Sequence, residues 1–348
     1  MLKYILAFGI AASITYVLTP VIERLAIQVG AVDIPNDRRV NRHPVANLGG
    51  IAIYCGFIIA VLLLLEHDLK LVGIIISSTL MLIVGLVDDL KEISPKSKLL
   101  WQIIAALTLV SFGIRIEFIT NPLGGMFYLG ALSIPFTIFW LVAITNTVNL
   151  IDGLDGLAAG VSTIASLTLF IVAMQEAELL VMALAITIAG ACLGFLQYNF
   201  NPAQIFMGDT GSLFLGFLLA TISTVGALKS AATMTLVIPI LALGVPIFDT
   251  LFAIIRRHQN GKPIFKADKG HIHHRLLKLG LTHKQAVIVV YLISLSLGLI
   301  AIAINGASEV QTLFILITII TILLSGSYKL GIINLDIGST KEEYKKVG

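Results

Sequence analysis

The chain has 348 residues, 57% of them hydrophobic and only 12% charged, and its mean hydropathy is +0.98. That composition excludes a water-soluble globule and points to an all-α polytopic integral membrane protein. Two cysteines, Cys55 and Cys192, both inside apolar runs, exclude a disulfide framework and a zinc site, and the net charge of +3 says little until its distribution is read.

A helix that crosses a bilayer needs about 20 mostly apolar residues. Eleven runs qualify as transmembrane helices, centred on 3–27, 48–65, 70–87, 99–112, 132–150, 156–174, 178–196, 211–228, 233–255, 285–304 and 310–327. They consume most of the chain, so residues 1–348 are expected to form one transmembrane domain with no separate soluble unit. The first run lacks a small-residue cleavage site and reads as a retained anchor. The join at 114–130, IRIEFITNPLGGMFYLG, alternates around Asn-Pro-Leu-Gly-Gly and reads as a short β-hairpin outside the membrane. Pro239 and Pro246 should bend the ninth span.

Cytoplasmic loops retain Lys and Arg. The joins after odd-numbered spans, with the C-terminal tail, carry 19 of these residues, and the other side carries 4. The N-terminus is therefore expected outside, with five joins in the cytoplasm.

The polar motifs all fall in those five joins. The first, VDIPNDRRVNRHPVANLGG at 32–50, carries Arg38, Arg39, Arg42 and His43, either a topogenic loop or a patch for an anionic head group or nucleotide phosphate. The third span ends in VGLVDDLKEISPKSK. Asp88 and Asp89 stand there at the negative end of the helix dipole, which disfavours a carboxylate by roughly 0.3–1 kcal/mol each. Their compensating cation is either a lysine among Lys91, Lys96 and Lys98, or a metal or protonated substrate.

The stretch TNTVNLIDGLDGLAAG at 145–160 places Asn149, Asp152 and Asp155 between two apolar runs. Lipid-exposed, the two carboxylates would cost about 5–7 kcal/mol, so they belong at the surface or in a wet cavity. Asp-Gly turns are the plain alternative. An EF-hand is excluded, because ligands would be needed at every second position and a Glu at the twelfth. If the segment is helical, a spacing of three turns all three residues to one side. In YNFNPAQIFMGDTGS at 198–212, Asp209 reads either as a cap of the eighth span or as part of a phosphate-binding helix start. The last join, 256–286, contains HIHHR. His271, His273, His274 and Arg275 could hold a transition metal, but Arg256, Arg257, Lys262, Lys266 and Lys269 around them suit an anion such as a pyrophosphate better.

Acidic and basic motifs gathered on one membrane face fit phosphoryl transfer, in which one or two Asp hold Mg²⁺ with the substrate phosphates and cations neutralise spreading charge. A transporter would instead carry ionisable groups near the bilayer midplane. A histidine-loop metal sensor would leave the Asn and Asp motifs unexplained.

The ordered motifs DD…SPKSK, NLIDGLDGLA, YNFNPAQIFMGDTGS and HIHHRL resemble the polyprenyl-phosphate N-acetylhexosamine-1-phosphate transferases, glycosyltransferase family 4. HIHHRLLKLG behind a basic loop is most similar to the bacterial branch that uses UDP-GlcNAc and undecaprenyl phosphate. That branch starts O-antigen, enterobacterial common antigen and teichoic-acid linkage synthesis. The resemblance implies a multi-pass protein of the bacterial cytoplasmic membrane whose cytoplasmic loops form the active site. It further implies Mg²⁺, with Mn²⁺ as a substitute, UDP-GlcNAc and undecaprenyl phosphate as substrates, a homodimer, and no nucleic acid partner. Carried over by position, Asp209 is the metal ligand, and Asp88 with Asp89 handles the lipid phosphate. Lys98 binds a donor phosphate, and Asn149, Asp152 and Asp155 line the nucleotide and metal pocket. Asn199 contacts the donor, while His271, His273, His274 and Arg275 hold its pyrophosphate or sugar. UDP-MurNAc-pentapeptide is the alternative donor.

Overall fold

The computed structural model describes residues 1–33, 44–66, 68–120, 125–227, 236–259, 261 and 270–329. The basic residues Arg38, Arg39, Arg42, His43, Lys262, Lys266 and Lys269 lie outside them. In chain order the elements are α1 (Leu2–Val29), β1 (Val32–Asp33), β2 (Val45–Asn47), α2 (Gly50–Leu64), α3 (Leu69–Lys91), α4 (Pro95–Ser111), β3 (Phe118–Thr120) and β4 (Met126–Tyr128). There follow α5 (Ser133–Ile151), α6 (Leu157–Gln175), α7 (Leu179–Asn199), β5 (Ile205–Phe206), α8 (Gly208–Ala227), α9 (Val237–Ala242), α10 (Gly244–Gln259), α11 (Ile272–Lys278), α12 (His283–Ile304) and α13 (Glu309–Lys329).

Each of the eleven apolar runs is helical at its centre or in two pieces, but only seven of the described helices are long and apolar enough to cross a membrane. The protein is therefore a multi-pass membrane protein, and the count of eleven crossings is not reproduced. α2 and α4 are shorter, and the ninth run is broken at Leu243 into α9 and α10. Its two prolines cause the break rather than a bend. Pro239 and Pro246 each sit in the first turn of a helix, where a missing N–H costs nothing, and Pro246 cannot continue the ladder of α9. The hairpin is present, with β3 and β4 antiparallel and Phe118 opposite Tyr128.

α8 is the centre of the bundle. It packs against α3 and α5 and touches α2, α6 and α7, so almost every one of its residues is buried, as an all-round apolar helix requires. Close approach elsewhere depends on small residues. Gly190 and Gly194, one turn apart on α7, face the backbone carbonyls of Phe8 and Ala12 on α1, where a Cβ would overlap them.

The sequence gives no sign of a small sheet in the order β1-β2-β5, with β1 antiparallel and β5 parallel to β2. Its consequence is positional. The bonds Gly49 N to Phe206 O and Gly50 N to Met207 O, both 2.9 Å, start α2 and α8 side by side.

Candidate active site

The C-terminal ends of α3 and α5 and the N-terminal ends of α4 and α8 meet at one end of the bundle, beside the small sheet and α11. They enclose a cavity of about 530 Å³. Its wall takes Asp88, Lys98, Asp152, Asp209 and His274 from four of the predicted loops and Asp33 from the start of the first.

Asp209 is the hub. It occupies the first turn of α8, yet it does not cap that helix. Its Oδ1 accepts from Asn149 Nδ2 at 2.6 Å and its Oδ2 from Lys98 Nζ at 2.6 Å. Asn149 Nδ2 also donates to Ser212 Oγ at 2.8 Å. Lys98, raised into the cavity by an α4 start that Ser94 caps and Pro95 opens, forms a second ion pair with Asp88. One ammonium thus holds two carboxylates from different helices together. Asp88 is buried, and its other oxygen accepts from Ile93 N at 2.9 Å.

Capping of α8 falls to Asp89. Its oxygens accept from Asp209 N and Thr210 N, each at 2.9 Å, from Thr210 Oγ1 at 2.5 Å and from Asn47 Nδ2 at 3.2 Å. Four donors on one carboxylate satisfy the open N–H groups of the helix and complement its positive end. Gly208, at φ +69, lets the chain turn into the helix there, and a Cβ on it would strike the Asp89 carboxylate. The adjacent pair Asp88–Asp89 therefore divides its work: the first faces the cavity and the second holds Asp209 in place.

Gly85, one turn earlier on α3, faces the Asp209 carbonyl and Thr210 Cα, and an added methyl would overlap that backbone. Gly85→Ala should cost about 1–3 kcal/mol by overpacking and displace Asp209 from Lys98. Gly9→Ala, at a glycine with nothing within 4 Å, should leave activity unchanged or raise stability slightly. Thermal melts and turnover of the two variants, side by side, check this; equal behaviour would contradict it.

The segment from 149 to 155 is not one helix, yet Asp152 and Asp155 line the cavity and Asn149 reaches Asp209 in its wall. α5 ends at Ile151, and turns at 152–153 and 155–156 follow it, the second through Gly156 at φ +78. Burial, followed by the charges of Asp209, Asp89 and Asp155, holds the Asp152 carboxyl well above the usual carboxylate range. Asp155 touches the cavity wall but its Oδ2 accepts from Asn201 Nδ2 at 2.9 Å and Ala203 N at 3.0 Å. Asn199 is similarly engaged: it accepts from Gly156 N at 3.0 Å and donates to Ile205 O at 2.9 Å, tying two loops.

Two braces on the same turn come from α12 and carry no mark in the sequence. Asp155 N donates to His283 Nε2 at 3.0 Å, and Tyr291 Oη donates to Gly156 O.

Within the histidine motif only His274 lines the cavity. Arg275 Nε donates to Gly270 O at 3.2 Å. His273 is buried against Gly153, and burial, then His274, pushes it down to about 3, so it is a neutral imidazole at physiological pH. It can contribute contact and hydrogen bonding to an anion but no positive charge. His271 is also buried and pairs with Asp249 on α10. Asn47 and Glu92, which also line the cavity, lie within the first and second joins, where no sequence signal singles them out.

Comparison with known proteins places this geometry. Residues 71–227 match the model of glycosyl transferase family 4. A probable undecaprenyl-phosphate N-acetylglucosaminyl 1-phosphate transferase of Bacillus subtilis (strain 168) is 40% identical over 100% of this chain and 98% of its own length. The chain belongs to glycosyl transferase family 4. A decaprenyl-phosphate N-acetylglucosaminephosphotransferase of Mycolicibacterium smegmatis (strain ATCC 700084 / mc(2)155) is 35% identical, over 81% of this chain and 77% of its own. A phospho-N-acetylmuramoyl-pentapeptide-transferase of Acetivibrio thermocellus is 32% identical, over 84% and 92%. The family match, 71–227, contains Asp88, Asp89, Lys98, Asn149, Asp152 and Asp209, and the full-length relative extends the likeness through the histidine motif.

Proposed function

We propose that this protein transfers GlcNAc-1-phosphate from UDP-GlcNAc to undecaprenyl phosphate, giving undecaprenyl-diphospho-GlcNAc and UMP, as the first membrane step of a cell-surface polysaccharide. The observation that carries this is the convergence of Asp88, Lys98 and Asp209 in a cavity walled by residues of all five joins, in a chain similar over its whole length to a transferase of that name. The excess of Lys and Arg on the site's side supports a cytoplasmic active site in a bacterial cytoplasmic membrane.

The cavity wall holds seven carboxylates, Asp33, Asp88, Asp89, Glu92, Asp152, Asp155 and Asp209, against Lys98 and His274. A pyrophosphate would be repelled from such a wall without additional cations. Among the described residues no three side chains form a ready metal cage. That fits Mg²⁺, which keeps waters and substrate oxygens and takes one or two protein carboxylates. Asp209 is assigned as the ligand because the family resemblance implies it, with Asp152 facing the same space; the ion would take the Asp209 oxygen that Lys98 holds in this structure and would neutralise charge on the pyrophosphate.

In the proposed reaction an oxygen of the lipid phosphate attacks the β-phosphorus of UDP-GlcNAc. The bond from that phosphorus to the bridging oxygen breaks, and UMP leaves with the bridging oxygen. Lys98 orients the phosphates between Asp88 and Asp209. A phosphate monoester has a second pKa near 6, so most of the acceptor needs no base at neutral pH, and Asp88 takes the residual proton.

The test is UMP release by purified protein in detergent with undecaprenyl phosphate and Mg²⁺. UMP is expected with UDP-GlcNAc and not with UDP-MurNAc-pentapeptide. Release from the pentapeptide donor alone would move the assignment to the N-acetylmuramoyl branch. Release from neither by folded protein would refute the proposed reaction.

A further inference from the structure

Asp249 is buried on α10, 7% exposed, and both of its oxygens are used. Oδ2 lies 2.8 Å from His271 Nδ1, and Oδ1 accepts from Ile272 N at 2.8 Å. An ionised carboxylate can only accept, so the ring nitrogen facing it must carry a proton. Asp249 therefore fixes both the tautomer of His271 and the backbone at the first residue of α11. The arrangement continues along the motif. The His271 and His273 rings are parallel within 3° at 5.9 Å, and the His273 and His274 rings are 4.3 Å apart. His274 stands in the cavity wall. On the other side of the segment, Gly270 faces the Arg256 guanidinium, also on α10, so closely that a Cβ would overlap it.

We infer that Asp249 is the positioning residue of the histidine motif: it holds His271 in one tautomer and so sets, through the His273 ring stacked on it, where His274 meets the donor. This rests on the reading of the cavity as the UDP-GlcNAc site. Asp249 touches no substrate. A helix that carries no motif thereby places the one polar loop that arrives after α10.

The decisive variant is Asp249→Asn. Its oxygen can still accept from Ile272 N, which turns its NH₂ toward His271 and forces the ring to the opposite tautomer with little change in shape. The expected result is a rise of about tenfold in KM for UDP-GlcNAc, the size of one lost polar interaction, with kcat and melting temperature little changed. His271→Gln, which lacks the Nδ1 donor, should do the same, and the double variant should be no worse than either. Multiplying effects in the double variant, or an unchanged KM in Asp249→Asn, would overturn the inference. Hydrogen exchange of residues 270–278 without substrate supplies a separate arm: Asp249→Asn should speed it, and unchanged exchange would overturn the positioning role even in protein that turns over no UDP-GlcNAc. That last failure, in wild-type protein, would fall on the functional reading instead.

Discussion

Asp209→Asn should lower UMP release by about a thousandfold or more, the scale of removing a charged group from a phosphoryl-transfer site, and leave the fold intact. In the native site the two oxygens of Asp209 accept from Asn149 and Lys98 on opposite sides. An asparagine can offer an oxygen to only one of them and must turn its NH₂ toward the other donor. Whichever way the amide sits, one strong contact becomes a donor–donor clash, and the carboxylate charge is lost from the metal's expected position. The helix itself should survive because its cap is Asp89, which accepts from the 209 and 210 backbone and not from the 209 side chain. Turnover and a thermal melt on the same preparation separate the two effects. A residual rate within tenfold of wild type would remove Asp209 from the centre of the mechanism; a collapsed melt would show that it also supports the fold.

Much of this site is legible in the sequence because an apolar chain tolerates few places for carboxylates. Asp88, Asp152 and Asp209 stand out against helical runs, and the cost of placing a carboxylate in lipid implies the membrane surface or a wet cavity. The same reasoning stops at roles. Asp89 and Asp155 look identical to Asp88 and Asp152 as letters, yet their oxygens are taken by backbone N–H groups and a side-chain amide. Whether a carboxylate presents itself to substrate or holds a loop depends on which distant N–H faces it. For Asp89 that partner is 120 residues away. The two-residue strands β1 and β5 are too short to leave a periodic signal. The break at Leu243 was legible only as a bend, since prolines mark an interruption without fixing whether the helix resumes in line. Tyr291 was invisible because it projects from an ordinary apolar helix, and His283 because it stands outside the HIHHR run at the end of the last join.

Asp152→Asn should move stability and activity in opposite directions. Burial and neighbouring acids raise the folded-state affinity of Asp152 for its proton above that of the unfolded chain. With a raised folded pKa, the stability it contributes is fully present below the ordinary aspartate pKa and is lost as pH rises through the elevated folded value. At pH 7–8 without metal, the native carboxylate therefore repels Asp209, Asp89 and Asp155 or retains its proton at a cost. The neutral, nearly isosteric amide removes that penalty, so the variant should melt higher in EDTA, and the gain should vanish as pH is lowered toward 4. Turnover should fall about 100-fold or more, because the same carboxylate is expected to face the metal and nucleotide. Added Mg²⁺ should stabilise wild type more than the variant, as a ligand that binds only the folded state does, and more at higher pH, where the proton no longer competes. Melting curves over pH with and without Mg²⁺ test the whole relation. A variant less stable than wild type at every pH would mean that Asp152 serves the fold through its charge; equal stabilisation of both proteins by Mg²⁺ would place the ion away from Asp152.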